Sequence, residues 1–180
     1  MKKTIMKFLG LVALCGLGLN ALATDPEDAV AKLNDGSAYF TVLQDAFTQE
    51  GNPENKAVIL LKDYTGDVTV DHTSAYFSFY LKGHTVTGKV SLKQGRLSIV
   101  GNGGTIQNTG LGENYPLYET YHGGGNNLYV QDVNIKATEE NGVAVFVDAP
   151  KAYLQEGTKV TGKVISAGAI LSRYASDPYV

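Results

Sequence analysis

The sequence has almost no cysteine, no tryptophan and few histidines. Cys15 is the single cysteine among 180 residues, so a disulfide within the chain and a metal site built from several cysteines are both excluded. The three histidines are scattered and show none of the close spacings that hold a metal ion. The sequence therefore predicts neither a metal nor a cofactor.

A hydrophobic run long enough to cross a membrane is also missing. The apolar stretch at residues 8–19 is shorter than the about 20 residues that a spanning helix needs. It follows three lysines and leads to Ala21-Leu22-Ala23, which is typical of a signal peptide cleaved after Ala23. We therefore expect a protein exported to the cell envelope or secreted, without a transmembrane segment. Lipidation of Cys15 is the alternative, although the bulky Leu14 before it is unfavourable.

Clusters of basic residues are absent too. Removing 23 residues from the 180 leaves 157, the size of one domain. The same cut removes three of the 15 Lys and Arg residues and none of the 18 Asp and Glu residues, so the formal net charge becomes −6. This acidic balance argues against binding to nucleic acid or to an anionic membrane.

What the chain contains instead is a repeated unit, in which a short apolar run is followed by a glycine-rich corner. Val86, Ile106, Ile135 and Val160 occupy equivalent places in four units, at intervals of 20, 29 and 25 residues. Intervals of this size are typical of solenoids, whose coils bury their apolar faces against one another. The units share one direction and one order of parts, which favours parallel coils over the alternative of an antiparallel β-sandwich.

The corner sequences carry a family resemblance. Leu81-Lys82-Gly83-His84-Thr85-Val86-Thr87-Gly88, and the stretch at 97–108, resemble bacterial secreted or surface proteins of the pectate-lyase-like superfamily. The resemblance covers about residues 38–168. It implies an all-β fold, namely a short, single-stranded right-handed parallel β-helix with a small N-terminal amphipathic helix as its cap.

The chain divides into five parts on this interpretation. The acidic segment contains Asp25-Pro26-Glu27-Asp28, which has the pattern of a helix start, and the cap contains a helix predicted over residues 42–50. The parts are a signal peptide (1–23), an acidic N-terminal segment (24–37), a capping strand and helix (38–56), the β-helix domain (57–168) and a C-terminal tail (169–180).

Acidic residues at corners are the candidates for catalysis. The resemblance implies that enzymes of this fold place acidic side chains and an Arg or Lys on one outer face to cut polysaccharides. Asp132 and Asp148 each follow a predicted strand, so they could approach one another, with Arg96 as the basic partner of a small lyase or hydrolase. Aspartate also favours corners because its side chain hydrogen-bonds local backbone. Further candidates of the same kind are Asp63, Asp67, Asp71, Lys82 and Lys151.

Tyrosine is the most plentiful aromatic residue, with 11 in the chain. Tyr115, Tyr118 and Tyr121 fall in the longest interval between repeats, followed by His122 and Asn126. Exposed rings suit stacking on sugars or anchoring a protein partner, so these five residues form the candidate binding patch. In the alternative interpretation Tyr118 fills the core beside Leu117.

The C-terminal end of such a solenoid would expose a strand edge unless something covers it. Either Tyr174 and Tyr179 fold back over it, or another molecule docks there, including a second copy of the chain. We therefore expect a non-catalytic exported protein that binds a glycan or another surface molecule through a lateral face. The alternatives are the small lyase or hydrolase and a structural assembly subunit.

Overall fold

The computed structural model describes residues 27–120, 128–148, 151–167 and 169–173, and this part of the chain is mostly β-strand. The strands are β1 (Ala31–Leu33), β2 (Tyr39–Phe40), β3 (Val58–Leu60), β4 (Tyr64–Thr65), β5 (Val68–Tyr80), β6 (Thr85–Thr87), β7 (Val90–Asn108), β8 (Leu117–Glu119), β9 (Leu128–Ala137), β10 (Val143–Val147), β11 (Lys151–Gln155), β12 (Lys159–Thr161), β13 (Lys163–Ser166) and β14 (Ala169–Arg173). A single 3-10 helix (Leu43–Phe47) lies between β2 and β3 in the described part.

From β3 onward all described strand pairs are parallel, and they form three ladders that the chain visits in turn. Ladder A contains β3, the end of β5, the middle of β7, the start of β9, β11 and β14. Ladder B contains β4, β6, the end of β7, the end of β9 and β12. Ladder C contains the start of β5, the start of β7, β8, β10 and β13. The result is a β-solenoid of about four turns, so the antiparallel sandwich considered above is wrong.

Ladder B confirms the predicted register of the repeat. Val86 lies opposite Ile106, Ile106 opposite Ile135, and Ile135 opposite Val160. The first three of these side chains are fully buried and Val160 is half-buried. Tyr64 lies opposite Val86 and adds a first rung, which sequence analysis missed because an aromatic residue stands where the other rungs have Val or Ile.

Alternation along each strand fills the interior. On ladder A the buried side chains come in pairs two residues apart, such as Phe77 with Phe79 and Leu97 with Ile99. Complete burial of a side chain of this size contributes roughly 1.5–3 kcal/mol. The corner between ladders B and C must be narrow, because a Cβ atom on Gly88 would lie 2.2 Å from the backbone oxygen of Gly66 in the previous coil.

The N-terminal end of the solenoid is closed by a cap, as predicted, but its helix is shorter than the expected 42–50 and is of the 3-10 type. Leu43, Ala46 and Phe47 point into the solenoid and are buried. The Phe47 ring meets the rings of Phe77 and Phe79 edge-on, with centroids 5.4 and 5.2 Å apart. These three residues of the predicted apolar face therefore plug the first coil, whereas Val42, the first residue of the predicted helix, is exposed.

The segment before this cap is a strand, which corrects the helix expected from Asp25-Pro26-Glu27-Asp28. β1 pairs antiparallel with β3 on one side and with β2 on the other, and only Glu27 and Asp28 of the predicted helix start lie within the described residues. Ala31 and Leu33 are buried against the first coil. Tertiary burial at the end of ladder A has overridden a local helix-start pattern.

At the opposite end, β14 pairs with β11 and continues ladder A beyond residue 168, where the sequence interpretation ended the β-helix domain. All four residues of β13 are exposed. Val164 and Ile165 keep 47% and 43% of their surface accessible.

Candidate binding face on ladder C

Three aromatic rings form a cluster on the outer side of ladder C. Tyr118 on β8 and Phe146 on β10 are direct partners in the ladder, and their ring centroids are 5.4 Å apart. Tyr115, from the segment before β8, stacks on Phe146 at 5.0 Å with an angle of 8° between the ring planes. Its centroid is 5.7 Å from that of Tyr118. We call Tyr115, Tyr118 and Phe146 the aromatic cluster.

The cluster lies outside the solenoid because strand side chains alternate between two faces. Leu117 and Glu119 point inward from β8 and are buried, so Tyr118 between them points outward. The interpretation that placed Tyr118 in the core beside Leu117 is therefore wrong. Tyr118 and Phe146 are half-buried, which leaves each ring partly accessible.

A cation lies over the cluster. The Nζ atom of Lys89, in the preceding coil, is 5.5 Å from the centroid of the Tyr118 ring and also donates to the backbone oxygen of Glu113 at 3.3 Å. Desolvation, with a smaller contribution from the negative charge of Glu113, raises the pKa of the Tyr118 hydroxyl above its ordinary value. The hydroxyl therefore stays protonated at neutral pH and can both donate and accept a hydrogen bond.

The outer side of ladder C changes character along the solenoid axis. In the coils below the cluster, Thr69 Oγ1 and Ser91 Oγ are 2.9 Å apart and share a hydrogen bond. Above the cluster, Ile165 lies opposite Phe146 and is exposed. Ser91 is buried and Thr69 is half-buried. Because neighbouring rungs of a sheet are about 4.8 Å apart, a largely covered hydroxyl pair, the aromatic cluster and an exposed aliphatic side chain follow one another over a few rungs.

The structure brings together two of the five predicted binding residues, Tyr115 and Tyr118. A fully extended chain would have placed these two rings on opposite faces. Tyr115, however, lies before β8 begins and is not part of a strand, so its ring reaches the same outer side as the Tyr118 ring. Tyr121, His122 and Asn126 fall outside the described residues. Sequence reasoning missed Phe146, although its place between Val145 and Val147 carried the signal that it points outward.

The catalytic candidates lie at separate places. Asp132 is at the corner between ladders A and B, with a φ of 53°, and Asp148 follows β10 at the end of ladder C. Arg96 is exposed at the start of a ladder A rung, opposite Tyr76. Asp132 stands at the corner where ladder A passes to ladder B, and Asp148 stands at the corner where ladder C passes to ladder A. The two carboxylates therefore do not approach one another as the lyase or hydrolase alternative required.

Two other acidic candidates have structural partners. Asp63 Oδ1 accepts a hydrogen bond from the backbone N–H of Thr85 in the next coil, and Asp67 Oδ1 accepts one from the N–H of Lys89, each at 2.8 Å. These carboxylates tie successive coils together at corners, the simpler role noted for corner aspartates. Asp71 lies in β5 opposite Gln94. Lys82 lies at a corner with its Nζ 5.5 Å from the Tyr80 ring centroid, and the side chain of Lys151 is outside what the structure describes.

A cleft of about 320 Å³ lies between the cap and the start of ladder C. The Gln44 amide in this cleft already bonds both backbone groups of Thr69, accepting from its N–H at 2.7 Å and donating to its oxygen at 3.0 Å. This amide seals the first edge of ladder C. The cleft is lined by Gln44, Phe47, Thr48, Gln49, Glu50, Thr69, Asp71 and His72.

One titratable group that sequence reasoning missed lies inside the solenoid. The Glu119 side chain is fully buried between Leu92 and Val147 on ladder C, and neither carboxyl oxygen has a hydrogen-bond partner in the described part of the chain. Burial raises its pKa from 4.5 to about 8. Glu119 is therefore mainly protonated at neutral pH.

Comparison with protein-family models, with curated proteins and with solved structures found no match. Within the described ranges, no helix is long and apolar enough to cross a membrane. The same residues contain no group of three or more His, Cys, Asp or Glu side chains arranged to hold a metal ion.

Proposed function

We propose that this protein is an exported, non-catalytic binding protein that recognises a glycan through the outer side of ladder C. The observation that carries the proposal is the aromatic cluster itself. Three large rings lie together on the outside of a solenoid whose own core is already filled by inward side chains. Burial of the solenoid interior does not require them there.

The chemistry of the cluster suits a sugar ring. A pyranose has one face of C–H groups that packs on an aromatic ring and a rim of hydroxyls that need hydrogen-bond partners. The accessible parts of Tyr118 and Phe146 supply the apolar contact. The hydroxyls of Tyr115 and Tyr118 and the ammonium of Lys89 supply polar groups at the rim. Because stacked rings fix each other's orientation, little side-chain entropy is lost on binding.

The outer side of ladder C continues beyond the aromatic cluster. Directly below the rings Ser91 is buried, and the next rung carries the hydroxyl of the half-buried Thr69, whereas Ile165 directly above the rings is exposed. An extended saccharide lying parallel to the axis would therefore meet a hydroxyl two rungs below Tyr118 and an aliphatic group directly above Phe146. This arrangement favours an oligosaccharide over a monosaccharide.

The test is a glycan array followed by titration calorimetry on the best ligand, with Tyr115→Ala and Phe146→Ala compared with the unchanged chain. An aromatic contact of this kind contributes roughly 1 kcal/mol, so we expect each variant to bind about fivefold more weakly. Tyr76→Ala is the matched control, because Tyr76 is 51% exposed and lies on ladder A, away from the cluster.

Two results would contradict the proposal. One is the absence of binding to any glycan on a broad array by a chain whose circular dichroism shows it to be folded. The other is a glycan affinity that falls equally in Tyr76→Ala and in the cluster variants, since that would place the ligand elsewhere.

A further inference from the structure

Two sides of the solenoid carry the same order of residue types. On ladder C, two hydroxyl residues, two aromatic residues and one aliphatic residue follow one another in register, namely Thr69, Ser91, Tyr118, Phe146 and Ile165. The equivalent column on ladder A repeats this order with Ser78, Ser98, Tyr129, Tyr153 and Leu171. In both columns the first ring lies in the coil of residues 117–137 and the second ring lies in the coil of residues 143–161.

A basic residue accompanies the first ring on both sides. Lys89 stands two residues before Ser91 on ladder C, and Arg96 stands two residues before Ser98 on ladder A. Each of these serines is the direct partner of the first ring of its column. On ladder C the ammonium group lies 5.5 Å from the ring centroid. Arg96 has the equivalent place on ladder A and is exposed.

The Tyr129 ring points away from the core and is stacked on one face only. It lies between Leu128 and Val130, which are fully buried, so its own side chain is on the outer side of ladder A. The buried Tyr153 covers one face of the ring, with centroids 4.9 Å apart and 5° between the ring planes. The other face is turned toward the previous coil, where the direct partner is Ser98. A serine side chain covers little of a ring, and Tyr129 keeps part of its surface accessible.

Polar groups surround this ring. The half-buried Ser98 is one rung below Tyr129, a separation of about 4.8 Å. The exposed Gln131 follows two residues later on the same strand, about 6.6 Å away along the chain. Together with the Arg96 guanidinium, these groups supply both hydrogen-bond donors and acceptors. A sugar ring needs this combination, namely an aromatic surface for its C–H groups and polar partners for its hydroxyls.

We propose that ladder A carries a second saccharide site, in which a sugar ring packs on the free face of Tyr129 and its hydroxyls bind Ser98, Arg96 and Gln131. The inference rests on the proposed function, because the ligand is the class of glycan proposed for ladder C. The two sites lie on different sides of the same coils. One molecule can therefore hold two glycan chains at once and link them.

Titration calorimetry measures the number of sites. The probe is the glycan that binds most tightly on an array, used as a soluble hexasaccharide, and we expect two molecules of it to bind per chain. Tyr129→Ala should weaken one of the two sites about fivefold, because it removes the aromatic contact. Tyr118→Ala with Phe146→Ala should weaken the other site and leave the first unchanged.

A second variant blocks the site without removing a ring. Ser98→Leu fills the space next to the free face of Tyr129 and should abolish binding at ladder A. Ser78→Leu is the matched control, because Ser78 is also half-buried and lies in the same column one coil further from the ring. In the chain with Tyr118→Ala and Phe146→Ala, the hexasaccharide should shift the side-chain amide signal of Gln131 in nitrogen NMR, and adding Ser98→Leu should remove that shift.

The outcomes separate the two sites. A single site that is lost in Tyr118→Ala with Phe146→Ala and kept in Tyr129→Ala would overturn the ladder A site and leave the proposed function standing. A single site that is lost in Tyr129→Ala alone would support the ladder A site and contradict the assignment of the glycan to ladder C. Equal losses of affinity in Ser98→Leu and Ser78→Leu would overturn the ladder A site, and a folded chain that binds no glycan would contradict both proposals.

Discussion

Replacement of Glu119 by Gln should remove most of the pH dependence of stability above pH 4.5. The carboxyl is fully buried without a described hydrogen-bond partner, and its pKa in the folded protein is raised to about 8. In the unfolded chain the same group titrates near its ordinary value of 4.5. Between these two values the unfolded state has lost the proton and the folded state retains it.

The difference between the two pKa values fixes the sign and the size of the change in the free energy of unfolding with pH. A folded pKa above the unfolded one means that the contribution of Glu119 to stability is complete below pH 4.5 and is lost as the pH rises toward 8. The free energy of unfolding should fall by about 1.4 kcal/mol for each pH unit in that window and level off above it. The total loss is roughly 5 kcal/mol, comparable with the whole stability of many domains.

Urea unfolding followed by tyrosine fluorescence, at several pH values from 4.5 to 9, measures this contribution. The pH floor avoids titration of Asp35, whose pKa is held below its ordinary range by hydrogen bonds from Lys56 and Ser37. Glu119→Gln keeps the shape and polarity of the side chain but cannot ionise, so its stability should change little over this range. At pH 8 it should exceed that of the unchanged chain by several kcal/mol.

The same pH dependence in both chains would contradict a raised pKa of Glu119. A Glu119 carboxyl that titrates near 4.5 in the folded protein, followed by carbon NMR, would contradict it as well. Glu113→Gln is the matched control, since Glu113 is exposed and its replacement should leave the pH dependence unchanged.

Three further predictions concern packing. Gly88→Ala should destabilise the solenoid by roughly 3 kcal/mol in urea unfolding, because the new methyl group would collide with the Gly66 backbone. Gly103→Ala is the control and should cost about 1 kcal/mol, since the space around its Cβ position is open. Equal losses of stability in the two variants would contradict a narrow corner at Gly88. Phe47→Ala should cost about 3–5 kcal/mol by removing the plug from the first coil, and a loss below about 1 kcal/mol would mean that the cap does not support the core. Asn52→Ala removes a buried amide that bonds the backbone of Ala46 and Lys56. Amide hydrogen exchange should therefore become faster in the cap than in the rest of the molecule. An equal increase in exchange over the whole molecule would contradict a cap that opens separately.

Much of the solenoid can be predicted from the sequence, because each coil is short and its pattern lies within a short stretch of chain. The buried positions of ladder B recur with corner glycines at nearly constant offsets, so aligning Val86, Ile106, Ile135 and Val160 gave the register that the structure confirms. The cap helix can be predicted for the same reason, since Leu43, Ala46 and Phe47 share one face within a single turn. In both cases the pattern lies within a few residues of chain.

The candidate site can be predicted from the sequence only in part, because its residues come from different coils. Tyr115 and Tyr118 are close in sequence, but Phe146 joins them only when β10 pairs with β8. Glu119 shows the same limit, since its burial depends on the coils before and after it. The helix predicted to begin at residues 25–28 is absent from residues 27–33 for a related reason: β1 is buried against the first rung of ladder A, and local propensity does not record that burial site.

The sequence alone determined the repeat, the parallel direction of the coils and the Val and Ile residues that follow one another on ladder B, because these depend on periodicity along the chain. Tertiary structure decided which outward side chains become neighbours and which carboxyl is shut away from water. Those outcomes depend on how coils of unequal length align across ladders, and the spacing of residues within one coil does not contain that information.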